Sequence, residues 1–166
     1  MKRIAIALLL VLIICSPIKT KADQDFIIYL PLVSKADNWI EFLACWTDCR
    51  MQAQVTNEVR KNSLTDYRGT LYIPQHEYLI VFMDVINVSG SEGYVTVIDS
   101  FWMIDKYKAV IPMAELDIQY AAQWEYGPGI KTVYDPLESG KVYKMVFVFD
   151  MEAGPHELIY RPWKEE

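Results

Sequence analysis

Histidine is almost missing from this 166-residue chain, which has only His76 and His156 against 11 tyrosines and five tryptophans. A hydrolytic triad needs an imidazole placed beside a nucleophile, and neither histidine lies in such a motif, so both are expected at the surface or in turns. Ser91 sits in Gly-Ser-Glu-Gly, which lacks the G-x-S-x-G elbow and its strand-to-helix setting. No H-E-x-x-H or D-x-D-x-D-G loop occurs, and none of the seven glycines forms a phosphate-cradling loop ahead of a helical pattern. The sequence therefore supports no cofactor and no catalytic residue, and the one enzymatic alternative is an uncatalogued hydrolase using His76 or His156 with nearby acids. Two weaker metal arrangements are read as ordinary structure. Asp150 and Glu152 could offer oxygens to calcium but read as a solvated acidic turn, and Met83 and Met145, which with Met151 and the histidines would suit Cu(I), lie in apolar strands where methionine fills core gaps.

Long apolar runs are also scarce. The exception is Ile4 to Ile14, preceded by Lys2 and Arg3 and followed by polar residues to Ala22, the pattern of a secretory signal peptide with cleavage expected after Ala22. The run falls short of the roughly 20 residues a membrane-spanning helix needs. Lipidation of Cys15 is disfavoured because Ile14 stands where a small residue belongs. The chain is thus expected to be secreted, extracellular or held at the cell envelope, with no membrane span once residues 1–22 are removed. Cleavage takes away Lys2, Arg3, Lys19 and Lys21 and no acid, leaving 12 basic against 22 acidic residues, net −10. Such a surface repels phosphate backbones and anionic membranes, which excludes nucleic acid as an expected partner.

Of three cysteines, Cys45 and Cys49 follow the cleavage site, in a compartment where disulfides persist. On one extended strand their Cα atoms would lie about 13 Å apart, too far to bond, whereas a helical turn brings them to about 6 Å. A local disulfide and two small buried thiols both fit the sequence. Cys-Trp-Thr-Asp-Cys is not a C-x-x-C redox motif, and no second pair completes a zinc site.

With 52% hydrophobic and 23% charged residues, one folded domain is expected, and seven glycines with eight prolines rule out a collagen-like or linker-dominated chain. Residues 23–50 read as a lead segment. Phe26 to Val33 is apolar but broken by Pro31, and Trp39, Phe42, Leu43 and Trp46 recur at i, i+3, i+4, i+7, which predicts one or two helical turns. From residue 51 the period becomes two, as in Met51, Ala53 and Val55. Short strands follow at Thr70 to Ile73, Tyr94 to Ile104, Tyr107 to Ile111, Lys131 to Tyr134 and Glu157 to Arg161. Glu77 to Val88 is apolar on both parities, so it is expected to be central. Val142 to Asp150 places Tyr143, Met145, Phe147 and Phe149 on one face. Gly127-Pro128-Gly129, Asp135-Pro136, Ser139-Gly140 and Ala153-Gly154-Pro155 supply turns. Residues 51–166 are accordingly predicted to form an all-β antiparallel sandwich.

The order of Asn87-Val-Ser-Gly ending a long strand, Phe101 followed by Asp105-Lys-Tyr107, and Leu137-Glu-Ser-Gly140-Lys before VYKMVFVFD and HELIYRP resembles the telokin-like, immunoglobulin-fold extracellular domains of bacterial secreted proteins and lipoproteins. The resemblance covers roughly Met51 to Pro162. It implies an immunoglobulin-like fold and no catalytic residues. The chain departs from the family pattern in having Ser139-Gly140 where a Pro-Gly turn is usual. Tyr29-Leu-Pro-Leu-Val33 is similar to a segment of exported proteins in some filamentous bacteria.

Aromatic residues are abundant, and all 22 rings lie after Ala22. Most fall in strands. Tyr120, Trp124 and Tyr126 instead fall in a segment without clear period, expected as a loop, where exposed rings beside Gln123 and Glu125 would form a stacking platform for sugar or peptide. Packing of those rings over an open end of the sandwich is the plainer alternative. The chain is thus expected to be a non-enzymatic interaction or adhesion module at the cell envelope, with an envelope protein or glycan as partner. The alternative is a small-ligand or carbohydrate-binding domain using Tyr120, Trp124 and Tyr126.

Overall fold

The computed structural model describes residues 28–30, 39–43, 50–90 and 101–160, with only the backbone described for 28–30 and Leu43. The expected signal peptide, Cys45, Cys49, Trp46, Ser91 and the first part of the Tyr94 to Ile104 strand lie outside these residues.

The described chain is mostly β, with one short helix. Two strands dominate, β6 (Tyr78–Asn87) and β10 (Val142–Asp150), antiparallel neighbours paired from Val142 opposite Ile86 to Asp150 opposite Tyr78. They form the middle of a five-stranded sheet with β3 (Arg50–Lys61) and β2 (Ile40–Leu43) on one side and β9 (Ile130–Lys131) on the other. A four-stranded sheet runs in the order β1 (Ile28–Leu30), β11 (Glu157–Tyr160), β7 (Phe101–Ile104) and β8 (Val110–Pro112). A short hairpin, β4 (Leu64–Thr65) and β5 (Leu71–Tyr72), stands apart.

Side chains alternate across a strand, so β6 and β10 serve two cores at once. Leu79, Val81, Met83 and Val85, with Met145, Phe147 and Phe149, face the four-stranded sheet and pack against Phe101, Met103, Leu158 and Tyr160. The alternate residues Tyr78, Ile80, Val146 and Val148 form a second core with Leu64, Ala121 and Ala122. Apolar character on both parities thus has its expected cause: both faces are buried. Met83, Met145 and Met151 belong to the first core, which is where sequence placed the first two.

Ile40–Leu43 is a strand, not the helical turn that the spacing predicts. It pairs antiparallel with β3, Ile40 opposite Ala53 and Phe42 opposite Met51, and Phe42 packs 4.4 Å from Tyr160 ring to ring. In four residues an apolar i, i+3 repeat cannot tell a helix from a strand, and pairing with β3 decides it. Together with β1, paired to β11, this makes the lead segment part of both sheets.

The second departure is the segment expected as an aperiodic loop. Leu116–Tyr126 is an α-helix, α1, lying against the second face of the five-stranded sheet. Its buried residues are Gln119, Ala121 and Ala122, and a face built of glutamine and alanine leaves no hydrophobic period to read. Gln119 explains why the helix is there. The parallel pairing of β9 ends at Met145, so β10 would leave an open edge at Val148. Gln119 acts there as a substitute strand: its Nε2 donates to Val148 O and Ala114 O at 3.0 Å, its Oε1 accepts from Val148 N at 3.0 Å, and Ala114 N donates to Val148 O at 2.7 Å.

A bulge between Val55 and Asn57 reverses the parity of β3. Beyond it Glu58 stands opposite Val81 and Arg60 opposite Leu79, on the side of the first core, while Lys61 turns to the helix and pairs with Glu125. His156 is held in the resulting polar margin, with Nε2 3.2 Å from Glu58 Oε2, Nδ1 2.8 Å from Gly154 O, and Arg60 bonded in turn to Glu77 at 2.9 Å.

Candidate functional site

A cleft of about 810 Å³ lies between the β4–β5 loop and the outer face of α1. The loop wall begins at Asp66. Its Oδ1 accepts the backbone N–H groups of Arg68 and Thr70, both at 2.8 Å, and Oδ2 lies 3.4 Å from the Tyr72 hydroxyl. Gly69 closes the turn with φ 82°, a left-handed conformation that favours glycine, and donates to Asp66 O at 3.0 Å. Desolvation pushes the Asp66 carboxyl up, but the N–H groups of Thr70 and Arg68 outweigh it and hold the carboxyl below its ordinary 3.8. Tyr72 moves the other way, its phenol raised by desolvation first and then by the negative charges of Asp66 and Asp117. This rigid turn presents Tyr67, which is 61% exposed, toward the helix.

The helix wall carries Asp117, Tyr120 and Trp124. Tyr120 and Trp124 are four residues apart, about 40° around the helix axis, so they share a face. They are 43% and 62% exposed, and Trp124 meets Tyr67 edge to face with ring centres 6.1 Å apart. At the far end Gly127, φ 108°, stops the helix, and Gln123 donates through Nε2 to Ile130 O at 2.8 Å and Asp135 Oδ2 at 2.9 Å, fixing that end of the cleft. Three large rings in contact with solvent on facing walls are unusual where burial would cost nothing, and they give the cleft its chemistry: ring faces for stacking, with Arg68, Asp117 and Gln123 as polar edges.

Of the three aromatic residues singled out in the sequence, Tyr120 and Trp124 are therefore brought together, and Tyr126 is not. Tyr126 lies about 200° from Trp124 around the helix. It packs edge to face on Phe82 at 4.8 Å beneath the Lys61 ammonium, and its hydroxyl is buried with no hydrogen-bond partner among the described residues. Burial pushes its phenol up. Tyr126 belongs to the second core and is removed from the candidate ligand residues. Tyr67, Arg68, Tyr72 and Asp117 were missed by sequence reasoning. The signal that could have found the first two is Asp66-Tyr-Arg-Gly69, a turn-forming Asp with Gly three residues on.

The other sequence candidates have structural partners. Asp150 accepts the backbone N–H groups of Gln75 (2.6 Å) and His76 (3.0 Å), with the His76 ring 3.6 Å away, and closes the loop before β6. Glu152 pairs with Lys106 at 3.0 Å, and this hydrogen bond lowers the carboxyl and raises the ammonium. No group of three or more metal-ligating side chains occurs among the described residues, and no helix among them is long and apolar enough to cross a membrane.

Comparison with family models, curated proteins and solved structures finds no match for this chain.

Proposed function

We propose that the protein is an exported, non-enzymatic recognition module built on an immunoglobulin-like β-sandwich, and that it binds a carbohydrate or similar small ligand in the cleft between the Asp66–Thr70 turn and α1. The sandwich reading is supported by two sheets that share one core and by the likeness of the strand-and-turn order to telokin-like extracellular domains. Export is supported by the basic start and short apolar run of residues 1–22.

One observation carries the ligand reading: Tyr120 and Trp124 stand exposed on one helix face, opposite Tyr67 on a turn locked by its own hydrogen bonds. Stacking on a sugar needs rings presented at fixed positions with polar groups beside them, and this cleft has both. A protein-adhesion site would be better served by a broad flat patch, and these rings line a concavity instead. The concave, ring-lined shape is what favours the ligand-binding reading over the adhesion one.

Calorimetric titration of the protein with a panel of soluble oligosaccharides tests this. Trp124→Ala should weaken binding about 30-fold or more, the effect of losing roughly 2 kcal/mol at a buried aromatic contact, with unchanged circular dichroism because Trp124 is exposed in the free protein. Binding that is indifferent to Trp124, or absent throughout the panel, contradicts the proposal.

A further inference from the structure

The cleft holds two charges that the fold leaves open. Arg68 places its guanidinium 4.9 Å from the centre of the Tyr67 ring and donates through Nε to the Tyr67 hydroxyl at 2.5 Å, yet pairs with no carboxylate among the described residues. The Asp117 carboxylate, in the first turn of α1, has no hydrogen bond or ion pair among them either. The helix N-terminus stabilises its charge without occupying its oxygens. Asp66 is different, since its carboxylate is used by its own turn. The two open charges do not pair with each other, although both line the same cleft. Between and around them stand the rings of Tyr67, Tyr72, Tyr120 and Trp124.

An unpaired cation and an unpaired anion set in one aromatic cleft are complementary to a ligand that carries both signs. We propose that the ligand is a zwitterion, its cationic group seated against the aromatic rings beside Asp117 and its anionic group bound by Arg68. Ring faces attract a desolvated cation, most strongly a bulky alkylammonium, and a nearby carboxylate adds to the attraction. A guanidinium binds phosphate or carboxylate through paired N–H groups. The volume of about 810 Å³ leaves room for more than the charged group, so it can be free or a substituent on a glycan. This inference rests on the cleft being the binding site, and it narrows what the site takes.

The test is calorimetry on the whole protein with four probes: phosphocholine, a phosphocholine-substituted oligosaccharide, choline and inorganic phosphate. Phosphocholine should bind at least tenfold more tightly than choline or phosphate, and tighter binding of the substituted oligosaccharide would assign the source to a glycan. Arg68→Gln should cost phosphocholine about tenfold and leave choline unchanged. Asp117→Asn should weaken phosphocholine and choline alike by about fivefold, and raised salt should weaken both, because these charges are exposed. Both side chains project from the surface, so the variants should fold, as near-ultraviolet circular dichroism would show. If phosphocholine binds no better than choline, or if neither substitution changes it, the inference is overturned. A neutral oligosaccharide that binds through Trp124 while phosphocholine does not bind overturns the inference and leaves the recognition function standing. If no probe and no oligosaccharide binds, both fall.

Discussion

Two polar residues hold parts of this molecule that apolar contacts cannot. Gln119 is 1% exposed and supplies an amide to the uncovered edge of β10, satisfying both the N–H and the C=O of Val148. Gln119→Leu keeps the side-chain size but strands a buried N–H, so it should destabilise the protein by about 2–4 kcal/mol, read as a lower urea midpoint at unchanged slope. Asn87, fully buried, donates to Leu137 O at 3.0 Å and accepts from Ser89 N at 3.0 Å, while Gly140 N donates to its carbonyl at 2.8 Å. This is why Asn87-Val-Ser-Gly and Leu137-Glu-Ser-Gly140, far apart in the chain, occur as a pair. Asp66 works by charge. Its folded carboxyl is held below the ordinary 3.8, so its contribution to the turn is complete above that value and is lost as pH falls through the lower folded value. The amide signals of Arg68 and Thr70 should therefore shift in acid along one titration curve with a midpoint below 3.8, and Asp66→Asn should abolish that curve. Amide shifts that follow an unshifted carboxyl would contradict this.

At the scale of elements, legibility depended on where apolar residues lie. β6 and β10 were readable because both faces are buried, and the one-face set Met145, Phe147 and Phe149 lies in the first core as expected. α1 was not readable, because its buried positions are Gln119, Ala121 and Ala122 while the larger Tyr120 and Trp124 face the cleft. The pattern is almost inverted, since the larger rings lie on the side turned away from the sheet. The site was consequently half legible. Tyr120 and Trp124 were found by composition, Tyr126 was grouped with them only because helical geometry was not expected, and the facing turn came from a hairpin whose strands have two residues each. The two alanines set how closely the helix approaches the sheet. Ala122→Leu should overpack that contact, cost about 1–3 kcal/mol and displace Tyr120 and Trp124, so thermal stability and ligand affinity should fall together. A loss of stability with affinity intact would show that the cleft does not depend on helix position.

At the scale of the whole molecule, the described residues place the five-stranded sheet between two cores, one shared with the four-stranded sheet and one shared with α1. Because β6 and β10 contribute to both cores, unfolding of this central pair dismantles both at once. Urea unfolding should thus be a single transition, coincident by far-ultraviolet circular dichroism and by aromatic signals, and an earlier loss of helix would contradict this coupling. The same arrangement backs α1 with the buried residues Tyr78, Ile80, Val146 and Val148 of the five-stranded sheet.

The central claim is that ligand meets this protein at Trp124, and nuclear magnetic resonance of the indole N–H groups tests it most directly. Five tryptophans allow at most five indole signals, and the one missing from Trp124→Ala identifies Trp124. On titration with the tightest-binding probe, that signal should move with the backbone amides of Tyr67, Arg68, Asp117 and Tyr120, while those of β7 and β11 stay in place. Movement confined to the four-stranded sheet, with the Trp124 indole unmoved, would contradict the account.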